Sequence, residues 1–114
     1  MKYLGDFIED QAVSFLWNTF DAAGESVTRT TDGTIKVYKA DGVSSEEGVV
    51  DTEDFVDPGV HQCVITTTNV FYAANLDYYV VLEGTVIDGQ TVNAVIAHFS
   101  IENRNTPSGG GRYN

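Results

Sequence analysis

The sequence predicts an all-β domain, an immunoglobulin-like antiparallel β-sandwich of about seven strands with extended segments at both ends. Three observations lead there. Two apolar runs, 78–87 and 91–101, flank Ile87-Asp88-Gly89-Gln90, and Asp-Gly between β-branched runs is a strong hairpin signal. Turn signals recur along the rest of the chain at about 8- to 12-residue intervals, the spacing of sandwich strands. No segment carries an apolar period near 3.6, so no helix is expected to stand alone.

Taken in order, residues 1–12 (MKYLGDFIEDQA) mix apolar anchors with acids and a glycine and are expected to form an extended arm. Residues 13–20 (VSFLWNTF) are aromatic and β-branched, hence a strand in which Val13, Phe15 and Trp17 share one face. Asp21 to Gly24 reads as a turn, and Ser26 to Thr30 as a short polar strand at an edge. Asp32-Gly33 turns again into Thr34–Lys39, with Ile35 and Val37 facing inward. Gly48 to Thr52 forms a weak strand within an acidic stretch. Pro58-Gly59 punctuates it before the strand Val60 to Thr67. Residues 69–75 offer one helical turn, too short to persist without packing. The hairpin follows, and the expected core is Val13, Phe15, Trp17, Ile35, Val37, Val64, Leu82, Val95 and Phe99. Tyr78 falls where the chain enters the penultimate strand, a position from which a tyrosine often bonds back across the corner. The sandwich thus spans 13–103, and residues 104–114 (RNTPSGGGRYN) read as a flexible glycine-rich tail. A small closed barrel is the structural alternative.

Seventeen acidic side chains against six basic ones give a net charge of −11. That argues against nucleic acid and anionic membranes as partners, since both require a basic patch. Cys63 is the single cysteine, so no intrachain disulfide forms, and within an apolar strand it reads as a small buried hydrophobe. No run reaches the roughly 18 apolar residues of a membrane span, and MKYLGDFIEDQ lacks the pattern of a cleaved leader. Synthesis without export by such a leader is the expectation.

Candidate chemistry is sparse. Asp51, Glu53 and Asp54, with Asp57 nearby, offer oxygens to calcium, but their spacing is not that of an EF-hand loop. Residues 41–57 are therefore read as a solvated acidic face. A facing carboxylate pair for glycoside hydrolysis needs a cleft that short loops do not supply. His61, Cys63 and His98 fall short of a zinc ligand set. No nucleophile-elbow serine and no phosphate-binding glycine motif is present. The expectation is no enzyme, no cofactor and no metal. Phe71, Tyr72 and Tyr78 are close enough in sequence to suggest an aromatic platform for glycan, which keeps a small carbohydrate-binding module as an alternative from another class.

Met1 to Phe7 (MKYLGDF), Val37-Tyr38-Lys39, Phe71-Tyr72-Ala73-Ala74, Asp77-Tyr78, Val80-Val81-Leu82, Ile87-Asp88-Gly89 and His98 to Arg104 (HFSIENR) form a distinctive set. On these residues, and over positions 1–104, the chain resembles tailed-bacteriophage and prophage virion proteins of the tail-fibre type. Its layout is also similar to the N-terminal sandwich of baseplate upper proteins. In longer members a repetitive shaft follows the Ile-Glu-Asn-Arg end, whereas here ten residues follow Arg104. The resemblance implies a virion structural part without catalysis, made in the host bacterial cytoplasm and docking on the tail or baseplate, with capsid decoration as the alternative. The implied partners are other virion proteins, in a homo-oligomeric or multi-copy arrangement. Tyr3, Leu4, Phe7 and Ile8 in the arm, and Arg104, Arg112 and Tyr113 in the tail, are the residues expected to make those contacts.

Overall fold

The computed structural model describes residues 2–102. They form eight strands in two sheets and no helix: β1 (Lys2–Ile8), β2 (Val13–Asn18), β3 (Thr34–Lys39), β4 (Ser44–Ser45), β5 (Val49–Thr52), β6 (Val60–Ile65), β7 (Leu76–Ile87) and β8 (Gln90–Glu102). One sheet runs β1-β8-β7-β3-β4 and the other β2-β6-β5. The protein is a β-sandwich. The orders β2-β6-β5 and β8-β7-β3-β4 are those of the two faces of an immunoglobulin-type sandwich.

The hairpin forms at the expected place. Asp88 and Gly89 hold φ of 49° and 78°, the pair of left-handed conformations that a type I′ turn demands. In the five-stranded sheet Ile35, Val37, Val80, Leu82, Ala97, Phe99 and Ile101 point inward, and Val13, Phe15, Trp17, Cys63 and Ile65 meet them from the smaller sheet. Tyr78 stacks on Phe99 with ring centroids 5.5 Å apart. Its hydroxyl accepts the Ala73 N–H (2.6 Å) and donates to the Phe71 carbonyl (3.1 Å). That ties the 69–75 connection, which is turns rather than a helix, to the base of β7.

Several elements differ from the sequence reading. The arm expected over 1–12 is a strand across Lys2–Ile8, paired in parallel with β8, so the sandwich is not wholly antiparallel. It is joined to β2 by a tight reversal. Gln11 N–H donates to the Ile8 carbonyl, its side-chain oxygen accepts the Ile8 N–H, and Asp10 turns the chain at φ 71°. The polar segment 26–30 is no strand, making only isolated bridges at its margins. Val64 and Val95 leave the core. β6 turns its other phase inward (His61, Cys63, Ile65), and a register shift after Val80 skips Ile96, putting Val95 out of step with Ala97 and Phe99. The flexible tail expected over 104–114 lies outside the described residues.

Removing the Tyr78 hydroxyl takes away the acceptor of the Ala73 N–H and the donor to the Phe71 carbonyl, a loss of about 1 kcal/mol. Tyr78→Phe should accordingly lower the urea midpoint with an unchanged m-value. A midpoint equal to that of the parent protein contradicts the corner.

Candidate interaction surfaces and the polar cluster beneath them

A dense polar cluster lies at the end of the smaller sheet, where β2 gives way to segment 19–33 and β5 turns into β6. Arg29, 3% exposed, reaches in from that segment. Its guanidinium forks onto Asp51 (2.7 and 3.2 Å), donates to the Asp32 carbonyl (3.1 Å) and lies over the Trp17 ring at 4.9 Å. The planar fork matches a carboxylate at two points, which a lysine cannot do.

His61 is fully buried beside it. The Asp54 N–H donates to Nδ1 (3.1 Å), so Nδ1 is the bare nitrogen. Nε2 then carries the proton and donates to Thr19 Oγ1 (2.9 Å), whose own proton goes to the Val27 carbonyl (2.6 Å). The ring is thereby held neutral in one tautomer. Burial pushes its pKa down, with the Arg29 charge adding to that and Asp54, Asp51 and Asp32 opposing it. The Asp54 carboxylate accepts from Gly59 N–H and Thr28 Oγ1 at 2.8 Å each, and the Gly59 bond, more than any other cause, holds its pKa below the ordinary value. Gly59 sits at φ +82°, and a Cβ there would stand 2.5 Å from the Val27 nitrogen, so only glycine permits this approach.

Asp51 and Asp54, read as part of a solvated face, are therefore structural anchors, whereas Asp57 at the loop tip is exposed. Burial and the neighbouring Asp32 carboxyl raise the Glu53 pKa. Among the described residues no group of three or more His, Cys, Asp or Glu is placed to hold a metal ion. Cys63 is buried, and its thiol is pushed up to about 12, chiefly by desolvation, the opposite of an activated nucleophile. His98 lies on the outer face of β8, stacked on Tyr79 at 4.7 Å and 3.6 Å from Asp77. Tyr72 and Tyr78 are buried in the core cluster with Phe71 packed against it, so these three rings make no open platform.

The residues expected to contact partners divide. Leu4 and Phe7 pack on this domain's own core, Phe7 edge-on to Phe99 at 6.0 Å. Tyr3 and Ile8 are about half exposed on β1, and the Tyr3 hydroxyl bonds Asp6. Arg104, Arg112 and Tyr113 lie outside the described residues. Sequence reasoning missed Arg29, which lies in the segment expected to be a polar strand. Its signal was rarity, since it is the single arginine before position 104. It also missed an open groove of about 480 Å³ beside β2, floored by Trp17 and flanked by Leu16, Phe20, Val95, Ile96 and Lys2. Leu16, Phe20 and Val95, 44%, 54% and 42% exposed, stand together on this flank, with Asn18 also lining the groove.

The fold and these surfaces define a two-sheet all-β domain with a buried Arg29 and His61 cluster at one end and an open groove beside β2. No protein-family model, no curated protein and no solved structure matches the chain.

Two outcomes follow from the cluster. Asp51→Asn breaks the ion pair of a buried arginine. It should destabilise by about 2 kcal/mol, less than the loss for a fully buried pair because Asp51 keeps some contact with water. Asp57→Asn should leave the urea midpoint unchanged, and equal effects at the two positions contradict the assignment. The second outcome concerns pH. The folded-state pKa of His61 lies below the unfolded 6.5, so the unfolded chain takes up the proton first. The stability that a neutral His61 confers is full above about pH 6.5 and is lost as pH falls from there through the folded-state value. Urea midpoints measured at pH 7.5 and 5.5 should differ in the parent protein and converge in His61→Leu. A difference that survives the substitution assigns the effect elsewhere.

Proposed function

We propose that this chain is a non-catalytic docking domain of a tailed-bacteriophage virion, seated on the tail or baseplate. Two lines support the reading. The first is the resemblance carried by MKYLGDF, HFSIENR and the motifs between them across residues 1–104. The second is the open apolar flank around Leu16, Phe20 and Val95, the observation that carries the binding role. A rigid sandwich with its polar cluster turned inward and an apolar seam turned outward is suited to holding a neighbouring subunit. The acidic surface keeps such a domain off nucleic acid and favours a partner whose matching surface is basic.

Docking at the chain ends alone sits less well with β1, because half of its apolar residues serve this domain's own core. The Phe71, Tyr72 and Tyr78 rings lend no support to a carbohydrate-binding role, since none stands free as a stacking face.

Quantitative mass spectrometry of purified particles, from the phage or induced prophage that encodes the chain, tests the reading. A tail or baseplate site predicts about a dozen copies or fewer per particle, as expected for closed symmetric assemblies. Hundreds of copies would move the protein to the capsid shell as a decoration protein. Absence from purified particles contradicts a virion role.

A further inference from the structure

The smaller sheet ends at β2, and among the described residues no strand pairs with the outer edge of β2. An unpaired edge offers a row of N–H and C=O groups to any extended chain, so folds shorten, charge, bulge or cover their edges. Three of the four edges here are protected in that way. β4 is two residues long. β1 contains Lys2 and Asp6 and breaks register between Tyr3 and Gly5. β5 carries Asp51 under the Arg29 fork and lies between Glu46-Glu47 and Glu53-Asp54. β2 has none of these devices. Residues 11–20 (QAVSFLWNTF) contain no charge and no proline, and pairing with β6 runs unbroken from Val13 to Asn18.

The groove lies directly along this edge, between β2 and the β1 and β8 flank of the other sheet. In a constant-type immunoglobulin sandwich the first strand pairs with the second, as the sheet order ABED records. Here the first strand has gone to β8 instead. Among the described residues nothing takes the place of a fourth strand in the smaller sheet, and the groove lies at that place. Its walls supply apolar side chains from both sheets.

We propose that β2 and this groove receive an extended segment donated by another polypeptide. The segment pairs with β2 through its main chain and places alternate apolar side chains among Leu16, Phe20, Val95 and Ile96, the strand-addition mode of recognition. Two features select a donated segment over a second copy of this chain. The β2 of a second copy is already fixed between β6 and its own groove, so it could meet the edge but not enter the seam. A second copy also brings another net charge of −11, whereas the charge-free edge with Lys2 at the groove sits in a strongly acidic body. The favoured segment is accordingly apolar at alternate positions, free of acids and flanked by basic residues. This inference rests on the proposed binding role but not on the phage assignment. Particle composition tests the latter, and peptide binding tests the former.

The probe is a synthetic peptide of alternating valine and threonine with lysine at each end. Two controls accompany it, one with proline at the central threonine and one with glutamate ends. Calorimetry gives affinity, and backbone amide shifts locate binding. The lysine-ended peptide should bind with shifts centred on residues 13–18 and 95–96. The proline control, the glutamate-ended control and the Leu16→Lys protein should each bind about tenfold more weakly, the equivalent of roughly 1.4 kcal/mol. Phe20→Lys provides a second exposed substitution should Leu16→Lys fail to fold, and the proline control needs no variant at all. Absence of binding, shifts centred elsewhere, or equal binding of the proline peptide overturns the proposal. A dimer in sedimentation equilibrium that Phe20→Lys or Leu16→Lys dissociates makes a second copy the occupant, and likewise overturns it.

Discussion

The parallel pairing of β1 with β8 is the constraint on which the rest of the architecture depends. It is set by the reversal at residues 8–11, where Glu9 N–H donates to the Glu102 carbonyl and Gln11 closes back on Ile8. The Gln11 carbonyl is in turn held by the Thr67 hydroxyl at 2.7 Å, which fixes the point where the chain crosses to the smaller sheet. With the first strand placed there, one sheet has five strands and the other three. Phe7 is brought onto Phe99, adding to the aromatic layer that Tyr72 and Tyr78 build on that ring. The same choice leaves β2 as an edge and opens the seam beside it.

Polar groups secure each end of the sandwich in a different way. Tyr78 fixes one connection with a neutral hydroxyl that serves backbone groups on both sides. The other end relies on charge, through Arg29 and Asp51, and on the neutral ring of His61. Buried charge is costly unless it is paired and hydrogen-bonded. Here the carboxylate fork, the Asp32 carbonyl and the Trp17 face together compensate the guanidinium. The consequence for binding is that the loop between β5 and β6 is built to be held, while the neutral flank of β2 is left for contact.

Local pattern made much of this legible in the sequence. Asp88-Gly89 announced the hairpin, Thr34–Lys39 was readable to the residue, and the Val13, Phe15, Trp17 face followed from alternation. Tyr78 was recognisable by its place before a strand. Elements that depend on distant partners were not legible. KYLGDFI carries a glycine at φ +116° and an aspartate within the strand, so its propensity is poor, and β8 supplies the pairing that makes it one. The strand VHQCVI has apolar residues in both phases, and the inward turn of His61 is decided by Thr19 and the Asp54 backbone. The bulge at Ile96 that displaces Val95 leaves no local mark, since an extra apolar residue in an apolar run looks like any other.

The central claim is that the first strand belongs to the larger sheet and, among the described residues, leaves the outer edge of β2 without a partner strand. Inter-strand nuclear Overhauser contacts between backbone protons, measured on the isolated protein in solution, test it most directly. The account predicts contacts of the parallel pattern joining Tyr3 to His98 and Phe7 to Ile101, and none from residues 2–8 to residues 13–18. Contacts running between residues 2–8 and Val13–Asn18 would place the first strand in the smaller sheet and close the groove, contradicting the account.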